Sequence, residues 1–149
     1  MNSPRSKQIL SLLKYGKRAW NFEDVEECCR LEGIEIVYAQ MKRPGFYWHC
    51  DGIPTIVISL SLQGIKRLFV ALHELGHYYS DTPDSAFYTP NSKNKREYRA
   101  DRFALIALIP LKLMRKMLSE NTLWDLQEEY GIGSDLLSRR WELYRRIRK

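Results

Sequence analysis

The chain predicts an α+β fold: a small antiparallel sheet packed by helices, with a helical C-terminal extension. Three observations carry this expectation. Between residues 34 and 60 apolar residues alternate over short runs, as in strands buried on one face. On either side of that block they recur every three or four residues, as in amphipathic helices. The length, 149 residues at 44% apolar composition, suits one compact core.

Taken in order, Ser3-Pro4 ahead of Ile9, Leu10, Leu12 and Leu13 reads as a short amphipathic helix with Pro4 in its first turn. Asn21-Phe22-Glu23-Asp24 is a cap-like start for a helix whose stripe, Val25, Cys28, Cys29 and Leu31, ends at Gly33. Ile34, Ile36 and Tyr38 alternate along a first strand. Arg43-Pro44-Gly45 turns the chain into a second strand, Phe46, Tyr47 and Trp48, and Asp51-Gly52 closes a tight hairpin into a third over residues 55–60. Ser61 is placed to cap a helix that runs to about Tyr79, with Ile65, Leu68, Phe69, Leu72 and Leu75 on one face. Residues 81–94, rich in Pro, Ser, Thr and Asn, read as a loop.

A second long helix over about residues 95–109 is stopped by Pro110. Further helices follow over 111–118, over 123–129 and from Ser134 onward, with Gly131-Ile132-Gly133 as a turn. The expected organisation is a main domain over residues 1–110 and a helical extension over 111–149, packed on the same domain.

Several classes are excluded early. The longest apolar run, residues 103–110, is far short of the roughly 20 residues that span a bilayer. The basic first twenty residues lack the apolar core and small-residue cleavage site of a secretory signal. Three cysteines, two of them adjacent, fit neither a disulfide framework nor a paired-cysteine zinc site, and point to reduced thiols in the cytoplasm. The net charge of +6 is uneven: +5 over residues 1–20, −4 over 21–138 and +5 over 139–149. Such basic ends suit solvated helix faces better than a nucleic-acid surface.

The chemistry centres on His73-Glu74-Leu75-Gly76-His77, an H-E-x-x-H sequence. Histidines four apart on a helix project from one face and can bind one metal ion. Zinc suits nitrogen and carboxylate ligands, and Glu74 would face the water rather than the metal. A catalytic zinc needs a third protein ligand, and only His49 remains among the histidines. Glu97 and Asp101 lie four apart on the next helix: Glu97 can be that ligand, and Asp101 can accept the free ring N–H of a zinc-bound histidine. Ala100 and Ala104 are small enough to let the two helices approach closely.

Two blocks, residues 67–80 with Leu72-His73-Glu74-Leu75-Gly76-His77 and residues 97–110 with Glu97-Tyr98-Arg99-Ala100-Asp101-Arg102-Phe103-Ala104 and Pro110, resemble the ImmA/IrrE family of metallopeptidases. The likeness covers about residues 20–110 well and 111–149 weakly. It implies a cytoplasmic, gluzincin-like zinc peptidase of phage, mobile-element or stress-response context that cleaves a helix-turn-helix repressor. The family's metal ligands fall on His73, His77 and Glu97, its catalytic glutamate on Glu74 and its supporting acid on Asp101, where many members have Asn.

Peptide hydrolysis needs a second group to stabilise the developing oxyanion, and Tyr78, Tyr79, Tyr98, Arg99 and His49 are candidates without a clear choice. The strand over 55–60 is expected to offer an edge to an extended substrate. Residues 123–146 are weakly helix-turn-helix-like and end in Arg139, Arg140, Arg145 and Arg146. The leading expectation is therefore a zinc endopeptidase acting on a regulatory protein, with DNA a less favoured partner and no membrane. The competing expectation is a non-catalytic protein, stabilised by zinc, that binds a repressor or DNA through its basic C-terminal helices.

Overall fold

The computed structural model of the protein describes residues 18–80, 90–120 and 131–148. The elements expected near residues 3–13 and over 123–129 lie outside the described residues. Within them the chain runs α1 (Phe22–Glu32), β1 (Glu35–Ala39), β2 (Gly45–Cys50), β3 (Ile53–Ser59), α2 (Gly64–Ser80), α3 (Pro90–Leu108), α4 (Leu111–Glu120) and α5 (Ser134–Arg148). This is the expected α+β architecture.

Both ends of α1 follow local chemistry. Asn21 and Asp24 form a reciprocal capping box: Asp24 N–H donates to Asn21 Oδ1 (2.9 Å) and Asn21 N–H to Asp24 Oδ2 (2.8 Å). Arg18 adds a two-pronged contact to the same carboxylate at 2.7 Å on each oxygen. Gly33 ends the helix with φ of 73°, a left-handed conformation that glycine adopts without a Cβ penalty.

The sheet is mixed rather than wholly antiparallel. Its order is β1-β3-β2, with β2 antiparallel and β1 parallel to β3. The Asp51-Gly52 hairpin forms as expected, both residues at positive φ. The correction concerns β1. Thr55, Ile56, Val57, Ile58 and Ser59 are all buried, so β3 needs cover on both faces and partners on both edges. Sequential strand order would have left it at an edge. Gly45 makes the central position workable, since a Cβ there would lie 2.7 Å from the Val57 carbonyl oxygen and 2.8 Å from Val70.

Two helix starts differ from expectation. α2 begins at Gly64, not at Ser61, whose hydroxyl instead pairs with that of Ser59 at 2.8 Å beyond the end of β3. α3 begins at Pro90, inside the stretch expected as loop; proline in a first turn sacrifices no helical hydrogen bond. The helix stops before Pro110 as expected. The core lies between the sheet and α2, with Ile56, Ile58, Leu72, Leu75, Ala104 and Ile109 fully buried. α5 folds back on the end of α3, where buried Arg140 donates from Nε to the Ile109 carbonyl (2.6 Å).

Asp24 yields a test. Burial raises the affinity of its carboxyl for a proton, but the Arg18 and Asn21 hydrogen bonds outweigh burial and hold it below the ordinary carboxylate value. A depressed carboxyl stabilises the fold above its unfolded-state value and ceases to do so as pH falls through its folded value. Asp24→Ala should therefore cost about 1–2 kcal/mol at pH 7. In urea titrations at a series of pH values, the gap from the parent protein should narrow below about pH 4.

Candidate metal centre

His73 and His77 are one turn apart on α2, their ring centroids 4.8 Å apart and the rings nearly perpendicular. Between them Gly76 lies against α3. A Cβ at Gly76 would stand 3.1 Å from Ala100 Cα, Ala100 O and Phe103 Cβ. The two helices thus meet backbone to backbone at Gly76 and Ala100, and this contact brings the acids of α3 to the histidines of α2.

Glu97 bridges both rings, with Oε2 2.9 Å from His73 Nε2 and Oε1 3.2 Å from His77 Nε2. Asp101 Oδ1 is 2.8 Å from His73 Nδ1. The candidate ligand atoms of His73, His77 and Glu97 all lie within 4.8 Å of one another, so the group could hold a metal ion. The donor chemistry fits one. Carboxylates only accept, so His73, facing one at each ring nitrogen, needs two ring protons or a cation in place of the Nε2 proton. Tetrahedral zinc with bonds of about 2.0–2.1 Å would space its ligand atoms about 3.3 Å apart, close to the 2.9 and 3.2 Å between Glu97 and the two histidines.

The electrostatics lean the same way. Burial lowers the basicity of His73, but the Asp101 hydrogen bond and the charges of Glu74, Asp101 and Glu97 outweigh it and raise the imidazole above its ordinary value. Asp101 is the counterpart: burial raises it, while His73 and Arg139 more than compensate and hold it ionised below the usual range. This corner of the protein collects negative charge around two imidazoles, a field that attracts a cation.

The site opens into a cleft of about 720 Å³ lined by β2 residues Gly45 to Trp48, by His73, Glu74 and His77 of α2, by Arg96 and Glu97 of α3, and by Arg43. Glu74 is 6% exposed and is thus a buried carboxylate on the cleft wall. All five residues expected at the site are at this helix pair.

Other expectations fare differently. None of Tyr78, Tyr79, Tyr98, Arg99 and His49 lines the cleft. Tyr78 donates its hydroxyl to Glu32 (2.7 Å), Tyr79 stacks on Phe103, and His49 Nε2 is 2.9 Å from the Tyr47 hydroxyl. Arg43, Tyr47 and Arg96 do line it; the sheet order brings Tyr47 on β2 and Arg43 just before it to the metal corner, and Arg96 comes with its neighbour Glu97 on α3. The edge expected of β3 belongs to β2, because β3 is central. Cys28 and Cys29 are buried and, chiefly through burial, their thiols are pushed up to about 12, which leaves them protonated. Of the four arginines singled out near the C-terminus, Arg139 bonds Asp101 Oδ2 at 2.8 Å and Arg140 is buried, so two of them engage the protein itself.

A mixed sheet backed by a helix with two histidines, crossed by a second helix that supplies acids, defines a metallopeptidase-like domain. The model of the IrrE N-terminal-like domain family (Peptidase_M78) matches residues 29–142, and the chain belongs to that family. The match extends into α5, beyond the blocks that carried the resemblance. Among solved structures, a Mycobacterium tuberculosis transcriptional regulator shares the fold with a TM-score of 0.66 at 16% identity. The alignment covers 91% of this chain and 45% of that one, so this chain spans less than half of the regulator's length. A search of curated proteins by sequence finds no match. No helix among the described residues is long and apolar enough to cross a membrane.

Gly76 is the exposed nerve of this arrangement. Gly76→Ala gains up to about 1 kcal/mol of helix propensity. It should nonetheless fail to stabilise, because the atoms that must yield are the backbone of α3. Gly76→Val should lose about 1–3 kcal/mol by overpacking, read as a lower urea midpoint with unchanged slope.

Proposed function

We propose that the protein is a zinc-dependent endopeptidase that hydrolyses a peptide bond in a regulatory partner, a helix-turn-helix repressor being the partner that family membership suggests. One observation carries the reading: two imidazoles and a carboxylate converge at the wall of an open cleft that also holds a second, buried carboxylate, Glu74. A purely structural zinc site is closed by four protein ligands and has no use for such a neighbour.

His73, His77 and Glu97 would hold the ion. Zinc bound there would supply Lewis acidity, lowering the pKa of a water at the site toward neutrality. The chain's own residues do the rest. Glu74 accepts the proton of the attacking water at its carboxylate and later delivers it to the leaving amine nitrogen. Asp101 accepts the Nδ1 proton of His73, which fixes the tautomer that leaves Nε2 free to ligate. Arg43 and Arg96 bring positive charge into the cleft, suited to an oxygen that becomes negative during attack.

β2 offers the substrate a rail. It pairs with β3 on one side, and no strand among the described residues pairs with its other side. An extended segment laid along β2 would be led toward His73 and Glu74. A flexible linker in a partner meets that requirement better than a folded core. The action of such an enzyme would be regulatory, exerted in the cytoplasm where the repressor works.

The competing view, a zinc-stabilised binder of a repressor or DNA, parts from this one at Glu74. Glu74→Gln should keep the fold and the metal while hydrolysis of a mixed library of quenched peptides falls by about 10²–10⁴. Normal hydrolysis by that variant would falsify the mechanism. Zinc in hundredfold excess over its Kd should raise Tm by about 5–10 °C, reversed by chelator, and Glu97→Ala should abolish the shift.

A further inference from the structure

The helix α5 reaches the metal centre through the side chain of Arg139. Arg139 stands on α5, 38 positions from Asp101, and its guanidinium bonds Asp101 Oδ2 at 2.8 Å while Asp101 Oδ1 holds His73 Nδ1 at 2.8 Å. Both carboxylate oxygens are thereby engaged, one by the helix that would carry the metal ligands and one by α5. The guanidinium is itself held. Its carbon lies 5.2 Å from the centroid of the Phe69 ring, and Phe69 in turn contacts the His73 ring at 6.4 Å. The exposed Asp135, one turn back on α5, is 4.0 Å away and adds little.

We propose that Arg139 is a positioning residue for the metal centre, holding the Asp101 carboxylate in the plane that orients His73, so that α5 is a working part of the site. The proposal deepens the metal-centre reading and rests on it. Its physical content is rotational. An aspartate held at one oxygen can turn about its side-chain bonds; one held at both oxygens by groups on two different helices cannot do so without breaking a charged contact. His73 presents Nε2 to the ion along a direction set by its Nδ1 bond, so freedom at Asp101 becomes freedom at the ligand. Arginine suits the role because one planar group can bond through its edge and stack through its face. A partner that lifted α5 would loosen the same linkage.

The test is zinc affinity, measured by competition with a chromophoric chelator for the full chain and for Arg139→Gln, Arg139→Lys, Asp101→Asn and the Arg139→Gln/Asp101→Asn double variant. Arg139→Gln should weaken zinc binding roughly 10- to 100-fold. Arg139→Lys should lie nearer the parent, and Arg139→Gln should add less than about twofold once Asp101 is Asn. A merely structural arginine would lower Tm and leave the affinity of the folded protein unchanged. Unchanged or tighter zinc binding, or an equal loss with and without Asp101, overturns the proposal. If the parent takes up no zinc, the metal reading itself fails, and a separate readout remains. In the metal-free protein the Nδ1–H proton resonance of His73 should broaden or move in Arg139→Gln; an identical resonance counts against Arg139 independently.

Discussion

Everything in the site depends on how closely two helices can approach. Histidines four apart supply two ligands from α2, but a third has to come from another element, and a carboxylate is short. The Gly76–Ala100 contact keeps large side chains out of the crossing, so that Glu97 comes within hydrogen-bonding distance of His73 and His77, and Asp101 of His73. Larger residues at the crossing would separate the backbones, and imidazole–carboxylate contacts near 3 Å tolerate little separation. The buried aliphatic residues that follow, Ala104, Leu105, Ala107 and Leu108 on α3 and Ile109 just after it, anchor this approach in the core.

Close approach also concentrates charge. Glu74, Glu97 and Asp101 stand around two imidazoles in partly buried surroundings, where their field is less screened than in water. Left unneutralised, such a cluster opposes folding. The structure answers from two sides: the shared protons and raised basicity of His73, and the cation Arg139 drawn from α5. A divalent ion would offset the same field more completely, since it replaces protons on nitrogen with two charges at one point. Ligand binding and fold stability are thus linked through the same side chains.

Much was legible without tertiary information because it rests on short-range rules. The Asn21–Asp24 cap, the Gly33 stop, the Asp51-Gly52 hairpin and the Pro110 helix end each depend on neighbours within about four residues, and each formed as read. The convergence of His73, His77, Glu97 and Asp101 was legible for a related reason: helical spacing puts each pair on one face, and two small alanines announced where the faces could meet. Ser61 misled because its hydroxyl had two local uses, and the turn after β3 took it. The stretch before Lys95 misled because a polar composition suits a helix start as well as a loop.

What the sequence by itself determined, among the described residues, is which segments form helix and strand, their polar and apolar faces and the residues able to carry metal chemistry, since all of these follow from periodicity and side-chain type. Tertiary structure alone decided the strand order that makes β2, not β3, the edge beside the cleft, and the pairing of Arg139 with Asp101 across 38 positions. Neither leaves a local trace. Strand order is settled by which strand must be buried on both faces, and a long-range ion pair by which helix ends the packing brings together; both are properties of the assembled core.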